Sequence, residues 1–403
     1  MGTILNIVYF IGAGASKAIC GDRIPAMEDF FKIAMDNIEG PEDSTGAEAF
    51  VALHNAGEYL TKGKESFDNN LLETTEGLKK FKDDHHPSRI TELGWRSSRT
   101  QNIEGVFGRL EGRADQIDTY QKVLKMVGWL LWKLNNKCEK DLLSSPYRLL
   151  VEAIGQSGAK TQHRHTFISF NYDIWLEQAL FKYDPHLWHP KWGYGFDPMY
   201  YVPPETLQVA ADNGGEIHPS ILPTKRNPLG PVVLKPHGSL SWYHDPADTY
   251  APVILSCTNS RELTFAPGGN ELCNLRLPLE GTQYPSRSYW PYIVPPTPLK
   301  TRSGPIFWKI QKQMENALAN ADVVVIIGWS MPDTDKDVRG FIERTIQSRT
   351  NQLRKVVCCD KRKGSFFKRF EQLFWPAESP TNYDGGFDKH FIDQVFNPIL
   401  TRR

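Results

Sequence analysis

Residues 4–11 (Ile4-Leu5-Asn6-Ile7-Val8-Tyr9-Phe10-Ile11) form an almost unbroken apolar run rich in β-branched and aromatic side chains. Such a run predicts a buried strand. It stops at Gly12-Ala13-Gly14-Ala15-Ser16, where a short helix is expected, and a second helix is predicted over about Met27 to Ile38. Between Gly40 and about Arg99 the chain is polar and weakly periodic, and reads as helices and loops. Further on, Ile117, Tyr120, Val123, Leu124, Val127, Leu130, Leu131 and Leu134 recur at three- and four-residue steps. That spacing places them on one face of a long helix, as core. Another apolar helix is expected over Tyr147 to Ile154.

Thr166 to Phe170 predicts a second strand, ending at Asn171-Tyr172-Asp173 and leading into a helix that reaches about Leu180. Residues 183–231 are rich in Pro, Gly, Trp and Tyr; they read as an ordered irregular insertion, because exposed aromatics need something to pack against. Val232 to Lys235 predicts a third strand, which stops at Pro236-His237-Gly238-Ser239, and Val253 to Ser256 a fourth. The last third alternates cleanly. A helix (Pro305 to Ala319) precedes the strand Val323 to Ile327, which ends at Gly328-Trp329-Ser330. A helix over about Thr334 to Ser348, the strand Lys355 to Cys359 ending at Asp360, and a helix over about Gly364 to Phe374 follow. Near-continuous apolar strands separated by helices indicate an α/β fold, a parallel sheet covered on both faces. No internal repeat or low-complexity tract interrupts it.

Composition narrows the functional classes. At 403 residues and about 150 per domain, two or three domains would be the first expectation. The 47 Lys and Arg balance the 47 Asp and Glu, which argues against a surface built to hold nucleic acid or anionic lipid. With 40% hydrophobic and 23% charged residues the chain is an ordinary globular mixture and not a disordered one. No apolar run approaches the roughly 18–20 residues of a membrane span. The apolar start lacks a basic leader, so a signal peptide is not expected. Six cysteines (Cys20, Cys138, Cys257, Cys273, Cys358, Cys359) include no Cys-x-x-Cys pair, so no zinc site is expected. So sparse a set predicts no disulfide framework and favours a reducing cytoplasm. His-Glu-x-x-His and Walker A patterns are absent, which removes zinc peptidases and P-loop NTPases.

In an open parallel sheet, ligands bind beyond the carboxyl ends of the strands. Those ends carry Gly12-x-Gly14-x-Ser16, Asn171-x-Asp173, His237-Gly238-Ser239, Gly328-x-Ser330 and Asp360, which should converge on one rim. Gly12 and Gly14 allow a tight turn and close approach to a pyrophosphate, with a helix N-terminus supplying N–H donors and Ser16 a hydroxyl donor. Each piece has a plainer reading as well: a structural turn for the glycines and Gly328, a helix cap for Asn171, a satisfied structural imidazole for His237. His163 and His165 read as solvated or structural.

Taken together, Gly12-Ala13-Gly14-Ala15-Ser16, Ile24-Pro25, Phe170-Asn171-Tyr172-Asp173, Lys235-Pro236-His237-Gly238-Ser239 and Gly328-Trp329-Ser330-Met331-Pro332 resemble the SIR2-like (sirtuin-fold) family. The likeness is strongest to the NAD-cleaving effectors of bacterial anti-phage defence, whose pattern Asn102-Ile103-Glu104 and Leu176-Glu177 also follow. The motifs occur in the family's order from Gly12 to Asp360. The resemblance implies a Rossmann-like parallel sheet of the sirtuin/DHS-like NAD-binding type, formed by one unit over 1–403 with a helical insertion over about 40–158. It implies NAD as substrate, held by Gly12, Ala13, Gly14, Ser16, Gly328 and Ser330, with Asp360 on the adenosine ribose. Asn171 and His237 would flank the nicotinamide ribose as catalytic residues, and Asp173 would orient them.

The implied reaction is hydrolysis of the nicotinamide–ribose bond to nicotinamide and ADP-ribose, without a metal, by a cytoplasmic effector that depletes NAD in abortive infection. The family further implies a homo-oligomer and a companion such as a HerA-type ATPase or a short argonaute, with no direct nucleic-acid or membrane binding. Protein deacylation or ADP-ribosyl transfer is the first alternative. Against it, deacylating sirtuins commonly carry two Cys-x-x-Cys pairs that are absent here, and Ala26-Met27-Glu28-Asp29-Phe30 departs from their Asp-Phe-Arg. A non-catalytic NAD or ADP-ribose sensor is the second alternative.

Overall fold

A computed structural model describes residues 4–23, 30–39, 44–55, 103–110, 113–161, 163–184, 186–196, 230–244, 257–258, 263–264, 290–294, 305–332, 335–362 and 365–401. The first apolar run forms β1 (Asn6–Ile11), followed by α1 (Ala13–Cys20). Five helices come next: α2 (Phe30–Asp36), α3 (Ser44–Asn55), α4 (Ile103–Leu110), α5 (Ile117–Leu142) and α6 (Pro146–Thr161). Then come β2 (Arg164–Ser169), α7 (Trp175–Tyr183), the short α8 (Pro190–Gly193) and β3 (Val232–Leu234). Four further strands follow: β4 (Gly238–His244), β5 (Cys257–Thr258), β6 (Leu263–Thr264) and β7 (Trp290–Ile293). The last third supplies α9 (Pro305–Ala319), β8 (Val323–Ile327), α10 (Lys336–Gln347), β9 (Lys355–Cys359), α11 (Ser365–Phe374), β10 (Thr381–Tyr383) and α12 (Asn397–Thr401).

Six strands make one parallel sheet in the order β3-β2-β1-β8-β9-β10. Numbered by their turn in the chain, this is the 3-2-1-4-5-6 order of the doubly wound Rossmann-like fold. Both central strands are buried along almost their whole length, as their Val, Ile, Tyr and Phe content requires of strands covered on two faces. The order reverses between β1 and β8, where Ile11 lies level with Ile327. A crevice opens there because connections leave the two strands toward opposite faces.

The helices between β1 and β2 form a layer around α5, whose 26 residues span about 39 Å at 1.5 Å per residue. Val123, Leu124, Val127, Leu130, Leu131 and Leu134 of the predicted stripe are buried. Ile117 is not: as the first residue of the helix it lies outside that seam and is 61% exposed.

The predicted helix over Met27 to Ile38 is observed from Phe30, its first residues lying outside the described set, as does the predicted strand Val253 to Ser256. Of residues 183–231, the described part packs its aromatics as expected. Trp188 and Tyr194 are fully buried, and Tyr194 meets Trp242 of β4 edge-on at 5.0 Å. β4 was not predicted: directly after His237 the chain forms this strand, which pairs antiparallel with β7 in a separate two-stranded sheet.

The cysteine reading needs correction. Cys20 at the end of α1 and Cys138 on α5 form a disulfide across 118 residues, because α1 lies against α5 and brings the two Cα atoms to 5.8 Å. The cysteine pattern therefore no longer argues for a reducing compartment. Cys358 and Cys359 are free thiols buried in β9. No helix among the described residues is long and apolar enough to cross a membrane.

Candidate functional site

The carboxyl ends of β1, β2, β3, β8 and β9 surround a cavity of about 930 Å³. Gly12, Ala13, Gly14, Ser16, Asn171, Asp173, His237, Gly328, Ser330 and Asp360 all line it. The rim predicted from strand ends is therefore one place, although its parts come from across the chain. A cavity of this size matches ordinary small-molecule sites.

The two glycine motifs interlock. A Cβ on Gly12 would lie 2.5 Å from Trp329 Cα, and one on Gly14 would lie 2.8 Å from Gly328 Cα. Gly328 has φ +61, a conformation that favours glycine, and its own Cβ would meet Ala15 N at 2.3 Å. Gly14 N–H donates to Gly328 O at 3.0 Å and Ala15 N–H to Gly12 O at 2.9 Å. The glycines were expected to admit a pyrophosphate; what they first admit is the β8 loop. With Gly12 N–H donating to Ile327 O, three of the four N–H groups at the start of α1 are thereby engaged inside the protein. Trp329 anchors the β8 loop through stacking contacts with Phe10 at 5.0 Å and Phe170 at 4.6 Å, which also stack on each other at 6.2 Å.

Asn171 is fixed by its neighbours. Its Nδ2 donates to Gly12 O at 3.0 Å and to Ser16 Oγ at 2.8 Å. A carbonyl can only accept, so the nitrogen end of the amide must face Gly12. The acceptor Oδ1 is then the end available to a ligand. Ser16 in turn donates to Asp173 Oδ2 at 2.7 Å and is almost wholly buried. In this structure the one hydroxyl proton of Ser16 is directed at Asp173, and its oxygen accepts from Asn171. Asp173 also accepts from Trp175 N–H at the start of α7. Burial pushes the Asp173 carboxyl above its usual range, against the opposing pull of Lys235 and of the Ser16 hydrogen bond.

Beneath this cluster lies an ion pair that the sequence did not announce. Lys235 at the end of β3 donates to Glu177 Oε1 of α7 at 2.7 Å and to the Asp173 backbone carbonyl. Both side chains are buried to within 1%. Burial raises the Glu177 pKa too, with Lys235 opposing the rise. The pair ties the loop bearing Asn171 to the strand that delivers His237.

His237 is buried, with the Phe170 ring edge-on at 5.3 Å and Tyr172 tilted at 6.3 Å. Its Nε2 lies 3.2 Å from Oδ1 of Asp335, a cavity-lining residue that sequence reasoning passed over. An Asp just before a helix reads as an N-cap, and nothing in the chain distinguishes Asp335 from its neighbours Asp333 and Asp337.

Asp360 lies where the adenosine ribose was expected, but its carboxylate already has a partner. Arg362 gives it three hydrogen bonds: backbone N–H at 2.9 Å, Nε at 2.8 Å and Nη2 at 2.6 Å. The same guanidinium sits 4.1 Å from the centre of the Phe366 ring. A ribose hydroxyl would share Asp360 with Arg362. Among the described residues, no group of three or more His, Cys, Asp or Glu is arranged to hold a metal ion.

No protein-family model matches the chain, and no curated protein does. Among solved structures, the chain is similar to one reported as "The Structural basis of Sirtuin Substrate Affinity". The identity is 10%, with 98% of this chain and 92% of that one covered at a TM-score of 0.35. It is also similar to "Structure of Sir2Tm bound to a propionylated peptide", at 11% identity, covering 70% and 83% at a TM-score of 0.29.

Proposed function

We propose that this protein hydrolyses NAD+ at its nicotinamide–ribose bond. The observation that carries the reading is the meeting of an amide locked with its oxygen toward the ligand (Asn171) and a buried imidazole (His237) in one cavity. That cavity opens at the strand-order reversal, beside a glycine loop. A site that only bound a nucleotide would need neither group.

In this reading the C1′–N1 bond breaks with its electron pair passing to the nicotinamide ring, which leaves neutral, so no strong general acid is needed. Positive charge develops at C1′ as in glycoside hydrolysis. Water adds at C1′, oriented by Asn171 Oδ1, and its proton passes to His237 and then to solvent. The products are nicotinamide, ADP-ribose and a proton. The glycine loop and the start of α1 suit the pyrophosphate. We read the biological role as NAD depletion in anti-phage defence, in a homo-oligomer that works with a companion protein, on the strength of the motif resemblance.

Purified protein incubated with NAD+, with and without an acyl-lysine peptide, tests the reading. Nicotinamide release without the peptide is expected. Release only with the peptide would instead assign deacylation, and saturable binding without release a sensor. Asn171→Ala and His237→Ala should each lower turnover by about 10²- to 10⁴-fold with the fold intact.

A further inference from the structure

We propose that Asp335 is the positioning residue of His237: it holds the proton on Nε2 and makes Nδ1 the basic nitrogen of the imidazole. The inference rests on the reading above only for its kinetic consequence; its structural content stands apart from the identity of the substrate.

The first observation is what Asp335 does not do. It occupies the N-cap position of α10, yet its side chain makes no capping hydrogen bond to that helix. An Asp at this place ordinarily accepts from its own helix's free N–H groups. Here its Oδ1 lies 3.2 Å from His237 Nε2, with both residues buried. An ionised carboxylate only accepts, so the nitrogen facing it carries hydrogen, and in the neutral ring the lone pair falls on the other nitrogen.

The second observation concerns the remaining charges. Among the described residues around His237, four other titratable groups have contacts of their own. Tyr172 donates to Val294 O, Asp173 accepts from Ser16, Lys235 pairs with Glu177, and the Tyr292 ring stacks on Phe307. The Phe170 and Tyr172 rings hold the plane of the imidazole. Asp335 is the carboxylate in contact with the ring, and so sets both its tautomer and its readiness to take a proton.

Nitrogen-15 NMR of the full chain labelled at histidine, without NAD+, tests this directly, with the His237 signal assigned by its loss in His237→Gln. In the wild type, the neutral His237 should carry its proton on Nε2. In Asp335→Asn its protonation midpoint should fall by about one pH unit or more, since a negative charge beside the ring is removed. Asp335→Glu should restore most of the wild-type midpoint. In NAD+ turnover, Asp335→Asn should lower kcat at least tenfold with KM little changed, and should move the acidic limb of the pH profile downward with the NMR midpoint. A purely structural tether would leave that limb in place.

A wild-type imidazole protonated on Nδ1 overturns the proposal, as does an unchanged midpoint in Asp335→Asn. If that variant fails to fold, the wild-type tautomer and Asp335→Glu still decide. Should the NMR results hold while the wild type releases no nicotinamide, the pairing stands and the NAD+ reading falls.

Discussion

The two ends of the sheet each bury histidine, with opposite results. At the amino ends of the strands, His163 accepts from Leu5 N–H at 3.1 Å and reaches Leu400 O at 3.2 Å, while His165 Nδ1 lies 2.8 Å from the Tyr9 hydroxyl. These partners are neutral. Burial, with a smaller effect of His163, pushes the His165 pKa down to about 3, so that ring stays uncharged at any ordinary pH. At the carboxyl ends His237 is buried to a similar degree but faces a carboxylate. Burial alone disfavours the charged imidazole, whereas a carboxylate beside a buried ring favours it. The two ends of the sheet thus place their histidines in opposite electrostatic surroundings.

The largest test of this contrast removes a charge from the carboxyl end. Lys235→Ala leaves Glu177 ionised without its partner or forces it to take a proton. Losing one member of a buried pair costs about 3–5 kcal/mol, read as a lower midpoint in chemical denaturation. The double change Lys235→Met with Glu177→Leu should recover most of that stability, because two apolar side chains of similar volume replace the pair. A single variant as stable as the wild type would mean that charge does not organise this end.

An intermediate effect is expected at the amino end. Because the folded pKa of His165 is depressed, its contribution is complete above the unfolded value of about 6.5. It is lost as pH falls from there toward about 3. His165→Gln keeps a polar partner for Tyr9 but cannot titrate. The stability of the wild type relative to this variant should therefore fall by up to about 1.4 kcal/mol per pH unit below 6.5. Parallel stability curves for the two proteins would place His165 in contact with water.

The smallest effect belongs to the exposed edge of the site. Arg362 is about half exposed, so Arg362→Ala should change stability by less than about 1 kcal/mol. By freeing Asp360 it should still alter the KM for NAD+, which separates an exposed clamp from the buried pairs behind it.

Sequence reasoning located the strands of the main sheet that end in site residues, because long Val- and Ile-rich runs have few alternatives. It also gathered the site correctly onto one rim, since the carboxyl ends of parallel strands must share a side. What it missed depends on contacts distant in the chain. That Gly12 and Gly14 also pack against Gly328 and Trp329 was not legible, because those neighbours lie more than 300 residues away. Ser16 read as a free donor for want of Asp173. Asp335 was hidden in an alternation of carboxylates (Asp333, Asp335, Asp337) that only three-dimensional contact separates. Cys20 and Cys138 carry no spacing signal, and β4 was obscured by the Pro-His-Gly turn that precedes it.

The strand order has one further consequence, for the timing of assembly. β1 pairs with β2 on one side, yet its other neighbour, β8, lies more than 300 residues further along the chain. A nascent chain emerging from the ribosome could build the helical layer and the β1–β2–β3 half. The crevice would remain open on one side until residues beyond Asp360 had been released. Pairings of such long sequence separation form slowly. On the reading proposed above, the NAD+-cleaving site would thus stay unformed while β8 and β9 are still being made, and would come into being only once they pair beside β1.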